Sequence, residues 1–260
     1  MFINNFDPVA FNFLIFEIRW YSISYILGIL IGWLYIKYKL IKESNLKELF
    51  DDFIVYLVIG IILGGRIGYI LFYNFKYYFN NPAEILYIWQ GGMSFHGGLI
   101  GIILMSYHFS RKNKINIFFL LDRISLVAPI GIFFGRLSNF VNSELYGTET
   151  GLPWGVKFIK VDEIIRHPSQ IYEAFFEGLI LFFILNFSFR VKIKVSGFIS
   201  GLFITFYSIF RFIIEFTREP DAQLGFVIMS FTMGQIISVF TLLAGIYLYY
   251  HSYGKNNSSR

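Results

Sequence analysis

Three arginines interrupt long apolar stretches of the chain, where a charged side chain is costly. Arg66, Arg136 and Arg211 each fall near the same end of a predicted membrane span. One arginine in such a span costs at least about 2.5–3.5 kcal/mol, so three at one depth predict a binding site for an anion. Guanidinium groups suit a lipid phosphate, because they form paired, charge-assisted hydrogen bonds with it.

Buried ion pairs that only hold helices together are the alternative for each of these arginines. Glu215 follows Arg211 by four residues and therefore shares its helix face. The acidic residues near the same span ends are Glu144, Glu173, Glu177 and Glu215. Because these acids are few, we expect the arginines as a set to lack enough carboxylate partners.

A glycine-rich run surrounds one histidine: Gly91-Gly92-Met93-Ser94-Phe95-His96-Gly97-Gly98. Each glycine costs a helix about 1 kcal/mol relative to alanine, and non-helical backbone at membrane depth must be buried or line a wet cavity. We expect His96 to face such a cavity, where a neutral imidazole could accept a proton. In the alternative, the glycines allow close helix packing and His96 only bonds a carbonyl.

Further polar residues are concentrated at one predicted helix end. The run Gly135–Gly147 contains Arg136 and Asn139 on one face, followed by Glu144. Its alternative interpretation is a capped helix end with Gly147 ending the turn. His167–Glu173 is typical of a helix start, with Pro168 near the first position. Glu219–Asp221 indicates a turn.

The composition places these residues in a lipid environment. Hydrophobic residues make up 56% of the 260 residues and charged residues 15%, with a mean hydropathy of +0.59. An average soluble domain is about 25% charged, and disordered chains are poor in apolar residues. The absence of cysteine excludes disulfides, thiolate metal sites and a protein thiol nucleophile. The net charge of +5 forms no single patch, so nucleic acid is not an expected partner.

Seven stretches are apolar enough to form membrane-spanning helices of about 20 residues. They are roughly Trp20–Ile36, Phe53–Tyr73, Gly91–Phe109, Phe118–Phe140, Ile171–Phe189, Gly197–Phe216 and Phe226–Tyr250. The fourth contains Asp122, Arg123 and Pro129, and the first is predicted to be retained rather than cleaved as a signal peptide. We predict an all-α polytopic membrane protein with one domain, residues 1–260, and a small irregular outer segment at about 141–170.

Positive charges predict how the spans are oriented. Residues on one side are Lys37, Lys39, Lys42, Lys47, Arg111, Lys112, Lys114, Arg190, Lys192, Lys194, Lys255 and Arg260. The other side has Arg19, Lys76, Lys157, Lys160, Arg166 and Arg218. The positive-inside rule then places the N-terminus outside and the C-terminus in the cytoplasm. In this orientation the three arginines, His96 and Tyr21 share one depth near the outer headgroup boundary.

The sequence resembles the prolipoprotein diacylglyceryl transferases of bacteria. The matching runs are Gly64–Tyr69, Gly91–Gly98, Gly135–Gly147, His167–Glu173 and Arg211–Asp221, in the same order and over nearly the whole chain. The resemblance implies a plasma-membrane enzyme that moves the diacylglyceryl group of phosphatidylglycerol onto the lipobox cysteine in a prolipoprotein signal peptide. The implied products are a thioether and glycerol phosphate, and no metal or other cofactor is implied.

The resemblance also implies the site residues. The family's functional positions match Tyr21, His96, Arg136, Asn139, Glu144, Gly147, Arg211 and Glu215. We expect catalytic roles for Tyr21, His96, Arg136 and Arg211. We expect substrate binding by Arg66, Arg136, Asn139, Glu144, Gly147, Arg211 and Glu215. One departure is Ser138, where the family usually has glycine, and the outer segment 148–166 is short compared with larger members.

The residue types fit this chemistry. A cysteine thiol with a pKa of about 8.5 is mostly protonated at neutral pH, so His96 as a base would raise the thiolate fraction. Arg136 and Arg211 would stabilise the charge that grows on the leaving phosphate, Asn139 would orient the lipid, and Glu215 would hold Arg211. Alternatively, the arginines alone lower the thiol pKa and His96 only positions the lipid.

Two other classes of protein compete with this interpretation. A lipid or anion transporter, such as a flippase, also has charged residues beside a cavity. Its sites, however, lie near the midplane, and no convincing internal repeat is visible. A non-catalytic membrane scaffold predicts scattered or paired polar residues rather than a set that converges from several spans.

Overall fold

The computed structural model describes residues 2–14, 16–191, 195–220, 225–228 and 230–257. Lys192, Lys194 and Arg260, which contribute to the predicted orientation, lie outside the described residues, as does Asp221 of the predicted turn. The helices are α1 (Trp20–Tyr35), α2 (Ser44–Tyr73), α3 (Phe75–Asn80), α4 (Phe95–Lys112), α5 (Ile117–Val141), α6 (Ser169–Arg190), α7 (Phe198–Ile214) and α8 (Met233–Asn257).

Six helices in the described part of the chain are long and apolar enough to cross a membrane: α1 with its π-helical extension to Leu40, α2, α5, α6, α7 and α8. The predicted third span, Gly91–Phe109, contains helix α4, which is not among the six. Its polar ends, with His96 at the start and Arg111 and Lys112 at the finish, lower its hydropathy. The protein is therefore a mostly helical, multi-pass membrane protein.

Short strands accompany the helices, which an all-α prediction omits. They are β1 (Phe2–Asn4), β2 (Val9–Phe13), β3 (Phe16–Arg19), β4 (Val156–Phe158), β5 (Ile165–Arg166), β6 (Phe226–Ile228) and β7 (Phe231–Thr232). The outer segment contributes β4 and β5, and β4 pairs with β1 in parallel. The predicted start of the last span at Phe226 is wrong, because an antiparallel β6–β7 hairpin precedes α8.

The chain divides into two compact units, which we call unit A (residues 1–35 and 122–260) and unit B (residues 36–121). The single domain stays a prediction. In unit B, α2 packs against α4 through glycines on both helices: Gly60, Gly64, Gly68, Gly97 and Gly101. A Cβ added to Gly97 would lie 2.9 Å from the Cα of Gly68. This contact supports close helix packing as the reason for the glycines that follow His96.

Asp122 positions α7 in unit A. Its buried carboxylate accepts hydrogen bonds from the backbone N–H groups of Gly197 and Ser200, both at 2.8 Å, and from the Ser200 hydroxyl at 2.6 Å. A carboxylate at a helix N-terminus satisfies free N–H groups and interacts favourably with the helix dipole. The acid near the start of α5 therefore anchors α7, whose far end carries Arg211.

Candidate functional site

Arg136 of α5 and Arg211 of α7 meet at one carboxylate of α6 in unit A. Arg136 Nη1 lies 3.3 Å from Glu173 Oε2, and Arg211 Nη1 forms an ion pair with Glu173 Oε1. Arg218, just after the helical end of α7, places Nη1 3.3 Å from the same Oε1. The Glu173 side chain is completely buried. One glutamate thus contacts three arginines.

Two further glutamates complete this cluster. Glu177, one turn after Glu173 on α6, lies 3.2 Å from Arg136 Nη2 and 4.0 Å from Arg211 Nη1. Glu215 Oε2 lies 2.6 Å from Arg211 Nη2, as their four-residue spacing predicts. Thr232 Oγ1 donates to the other oxygen of Glu215 at 2.8 Å.

We call these six residues the arginine–glutamate cluster: Arg136, Arg211, Arg218, Glu173, Glu177 and Glu215. The expectation that Arg136 and Arg211 lack enough carboxylates is wrong, because three acids suffice when they converge from α6 and α7. The mutual pairing compensates part of the cost of burying each charge. An anion site at these arginines stays a prediction.

A second polar cluster joins α1 to the end of α5. Tyr21 Oη donates to Glu144 Oε2 at 3.0 Å, and Asn139 Nδ2 donates to Tyr21 Oη and, at 3.3 Å, to Glu144 Oε2. Asn142 Nδ2 donates to Glu144 Oε1 at 3.4 Å. The structure therefore brings together three of the predicted site residues, Tyr21, Asn139 and Glu144, through direct hydrogen bonds.

Glu144 follows an unusual helix end. Its N–H donates to Asn139 O at 2.9 Å, and Ser143 N–H donates to Phe140 O at 3.1 Å, which is the Schellman pattern. Ser143, at φ 58°, occupies the left-handed position where glycine is usual. The interpretation that Gly147 ends this turn is therefore wrong.

Buried side chains from the start of α6 hold the same segment. Gln170 Nε2 donates to Glu144 O at 2.6 Å, and Ser169 Oγ donates to Leu145 O at 2.8 Å. Leu145 is also left-handed, at φ 54°, a conformation that costs a non-glycine residue of order 1–3 kcal/mol. Ser169 and Gln170 are fully buried and compensate for this conformation. The sequence suggested only a helix start here.

Gly147 lies where two backbone segments approach closely. Its N–H donates to His167 O at 2.9 Å, and an added Cβ would lie 2.5 Å from Thr217 O and from His167 O. Even alanine would clash with backbone on both sides. This close approach explains why residue 147 is a glycine, and the predicted contact of Gly147 with substrate stays a prediction.

Arg166 fixes the outer segment beside Gly147. Its guanidinium donates to Asp162 at 2.6–3.2 Å, to Glu219 Oε2 at 3.0 Å and to Gly147 O at 3.2 Å. Hydrogen bonds from Arg166 hold the pKa of Asp162 below its usual range. Partial burial lowers the pKa of the neighbouring His167, which favours the neutral imidazole.

Arg66 has a different environment in unit B. Its guanidinium donates to the backbone carbonyls of Ile85 at 2.9 Å, Glu84 at 2.6 Å and Gly91 at 2.6 Å, and it lies 5.0 Å from the ring centre of Tyr78. Only 3% of Arg66 is exposed. These contacts support a role in fixing the loop before α4, and substrate binding by Arg66 stays a prediction.

His96 lies in the first turn of α4, also in unit B. The helix begins after Ser94, whose Oγ accepts from Gly97 N at 3.2 Å, while Gly91 and Gly92 are left-handed, at φ 85° and 78°. The break in the helix predicted for the glycine run therefore falls before Phe95. The His96 side chain is exposed, and its ring packs edge-on to Phe95. Its role as a base stays a prediction.

Sequence reasoning missed the central position of Glu173 and Glu177. Their four-residue spacing within an apolar span was the available signal, because it places both on one helix face. Arg218 and Gln170 had no comparable signal, since each lies at a helix boundary where a polar residue is ordinary. Among the described residues no group of three or more His, Cys, Asp or Glu side chains could hold a metal ion.

The fold and site together define a class: a polytopic membrane protein with a buried set of arginines and glutamates on its helices. A family model described as prolipoprotein diacylglyceryl transferase matches residues 8–251. The phosphatidylglycerol–prolipoprotein diacylglyceryl transferase of Rickettsia bellii (strain OSU 85-389) is 52% identical over 249 residues, 94% of each chain. That of Rickettsia typhi is 53% identical over 253 residues, 95% of this chain and 97% of the relative. This chain belongs to the prolipoprotein diacylglyceryl transferase family and is a transferase.

Proposed function

We propose that this enzyme transfers the diacylglyceryl group of phosphatidylglycerol to the lipobox cysteine of a prolipoprotein. The observation that carries the proposal is the convergence of Arg136 and Arg211, from two different helices, on one buried site. The names of its relatives supply the two substrates. Two arginines can bind a phosphate with paired, charge-assisted hydrogen bonds.

In this reaction the cysteine sulfur attacks the carbon of the diacylglycerol unit that is bonded to the phosphate oxygen. A carbon–sulfur bond forms and the carbon–oxygen bond to phosphate breaks, so the electron pair leaves with glycerol phosphate. Arg136 and Arg211 stabilise the negative charge that grows on this leaving group, a contribution that is usually the largest in such sites. The thiol proton passes to a base and finally to the released phosphate or to water.

Tyr21, Asn139 and Glu144 orient the lipid headgroup in this proposal. Their mutual hydrogen bonds fix the relative positions of these three side chains. The Asn139 amide and the Tyr21 hydroxyl can form hydrogen bonds with glycerol hydroxyl groups. Glu215 holds Arg211, and Gly147 keeps the neighbouring backbone close.

We propose His96 as the base that accepts the thiol proton. Its exposed imidazole at the start of α4 supports access to a substrate. Replacing His96→Gln should reduce transfer and change the pH–rate profile, because the glutamine side chain cannot accept the thiol proton. Full activity with an unchanged profile would instead favour thiol activation by the arginines alone.

Seven spans, an outer N-terminus and a cytoplasmic C-terminus complete the proposal, with α4 as the seventh span. The site then faces the outer leaflet of the bacterial plasma membrane. Because the chain has no cysteine, single substitutions test this topology directly. An impermeant thiol reagent added to intact cells should label Glu163→Cys and leave Lys47→Cys unlabelled until the cells are opened.

The test of function combines purified protein, labelled phosphatidylglycerol and a lipobox peptide. A thioether-linked diacylglyceryl peptide is expected, and a Cys→Ser peptide should give no product. No product from folded protein beside an active relative would contradict the proposal. Movement of labelled lipid between leaflets without transfer to the peptide would indicate a flippase.

A further inference from the structure

We propose that Glu177 takes up one proton when a phosphate group binds to Arg136 and Arg211. The inference rests on the proposed function, because it takes these arginines as the phosphate ligands. It adds a coupling between substrate binding and protonation, located at one buried carboxyl group of α6.

The charge balance of the arginine–glutamate cluster is the first observation. Three guanidinium groups face three carboxylates, so the formal charges cancel when all six groups are ionised. A phosphodiester adds one negative charge to this buried set. An uncompensated charge in a low-dielectric interior is strongly unfavourable. Uptake of one proton by a cluster carboxylate restores neutrality.

The contacts of each glutamate identify the carboxylate that accepts the proton. Glu177 is paired with Arg136 at 3.2 Å and Arg211 at 4.0 Å, the same two arginines that the phosphate recruits. When Arg136 and Arg211 bind the phosphate, Glu173 remains paired with Arg218. Glu215 then still accepts a hydrogen bond from the hydroxyl of Thr232. Among the described residues, Glu177 alone of the three glutamates has no donor other than Arg136 and Arg211.

The surroundings of Glu177 reinforce this assignment. Its side chain is fully buried, with 0% exposed. The charged or titratable groups that face it are Arg136 from α5, Arg211 and Tyr207 from α7, and Glu173 one turn earlier on α6. The adjacent Gly178 packs against Phe133, since a Cβ there would lie 2.7 Å from the Phe133 Cβ. Without its arginines, an ionised Glu177 would therefore face an acid, a phenol and apolar groups.

Calorimetry on the full-length protein measures the coupling directly. A short-chain phosphatidylglycerol is titrated into protein in phosphatidylcholine nanodiscs, in two buffers that differ in ionisation enthalpy. The phosphodiester does not titrate near neutral pH, so any proton taken up belongs to the protein. We expect about one proton per lipid bound, and an affinity that falls up to tenfold per pH unit where free Glu177 is ionised. Binding without proton uptake would overturn the inference.

Two variants locate the proton. Glu177→Gln should bind phosphatidylglycerol with no proton uptake and a pH-independent affinity. Glu163→Gln is the matched control, because that side chain is 80% exposed in the outer segment and should leave the uptake unchanged. Infrared difference spectra should show a protonated carboxyl band when lipid binds to the unaltered protein, and this band should be missing in Glu177→Gln. Undiminished uptake or an unchanged band in Glu177→Gln would overturn the assignment even if calorimetry shows a proton.

Further ligands test whether the phosphate group or the acyl chains of the lipid cause the proton uptake. Glycerophosphoglycerol, a phosphodiester without acyl chains that does not titrate near neutral pH, should also drive proton uptake if the phosphate headgroup alone is recognised. Its failure beside an active phosphatidylglycerol arm would restrict the coupling to the complete lipid. Neutral diacylglycerol should give none, and equal uptake with it would overturn the inference. Normal transfer to the peptide with no proton uptake would leave the proposed function standing, whereas an absence of both lipid binding and transfer would reject both.

Discussion

Two similar sequence runs place an arginine in opposite environments. Gly65-Arg66-Ile67-Gly68 and Gly135-Arg136-Leu137-Ser138 differ in only two positions by residue type. Arg66 donates to four backbone carbonyls, while Arg136 pairs with two carboxylates of α6. The comparison shows that similar local sequences can place an arginine against loop carbonyls or against carboxylates. The outcome depends on which groups a distant segment brings to the arginine.

The difference has an electrostatic consequence. Carbonyl partners leave the positive charge of Arg66 in place and tie it to a particular loop conformation. Carboxylate partners neutralise Arg136 and can be replaced by another anion with little change in charge complementarity. In the proposed reaction Arg136 therefore exchanges a carboxylate for the phosphate, whereas Arg66 would release the loop before α4 if it changed partners.

The largest expected effect tests the central carboxylate of the cluster. Glu173→Gln removes the charge that three arginines share, so the free energy of unfolding should fall by about 3–5 kcal/mol, as for other broken buried pairs. Unfolding by denaturing detergent in mixed micelles measures the change. Glu163→Gln, on an exposed side chain, should change it by less than about 0.5 kcal/mol. A similar small change for Glu173→Gln would show that the cluster contributes little to stability.

The next test separates the two arginines by function. Arg136→Gln should lower kcat/KM for transfer by roughly 10²–10³-fold, since one donor to the growing charge is lost. Arg66→Gln should mainly lower the thermal stability, and the folded fraction should keep transfer within a few-fold of the unaltered enzyme. Kinetics on protein that elutes as a single folded species measures both. Equal losses of kcat/KM would indicate that Arg66 also contacts substrate.

The last position of each run provides a smaller test. A Cβ at Gly68 would lie 2.7 Å from the Cα of Gly97, so Gly68→Ser should cost about 1–3 kcal/mol of stability. Ser138 donates to or accepts from Ser24 at 2.6 Å in a buried contact, so Ser138→Gly should cost only about 0.5–1.5 kcal/mol. Unfolding measurements should also show that Ser138→Gly and Ser24→Ala are non-additive. Additive effects would mean that the two hydroxyls do not interact.

The smallest effect concerns Asp162, a partly exposed acid in the outer segment that pairs with Arg166. Asp162→Asn removes a partner of Arg166 and should lower stability at neutral pH by at most about 1 kcal/mol, because solvent screens the pair. Asp162 has a lowered pKa in the folded protein, so its contribution is present above its unfolded pKa and is lost as the pH falls through the folded value. Unfolding measured against pH should show the variant and the unaltered protein converging in acid. A constant difference at all pH values would contradict this ionic origin.

Apolar length predicts most of the long helices, because this signal is local. The predicted start of the last span is wrong, because Phe226–Ile228 is as apolar as the helix that follows but forms a strand that pairs with β7. Strand β1 is also not predictable from the sequence, because its parallel partner β4 lies more than 150 residues away in the chain. Such pairings depend on tertiary contacts that a single apolar run does not encode.

The site was predictable where residue type limits the options. Arg136 and Arg211 stood out because buried charge is costly, and Asn139 and Glu144 stood out by their density at a helix end. Their mutual partners were not predictable, because Glu173 and Gln170 reach them from another helix. The sequence contains the acids Glu173, Glu177 and Glu215, but their convergence on Arg136 and Arg211 depends on the fold, so the expectation that they are too few is wrong.

The arginine–glutamate cluster also constrains how this protein is assembled in the membrane. Arg136 leaves the ribosome on α5 before Glu173 and Glu177 follow on α6, and Arg211 comes last on α7. A lone charged residue in an inserting helix is costly, by up to about 2.5–3.5 kcal/mol when it lies at the centre of the helix. Insertion of α5 and α6 as a pair offsets this cost, because each then enters lipid with its counter-charge. Consecutive helices of opposite charge thus favour release from the translocation channel as a hairpin rather than one at a time.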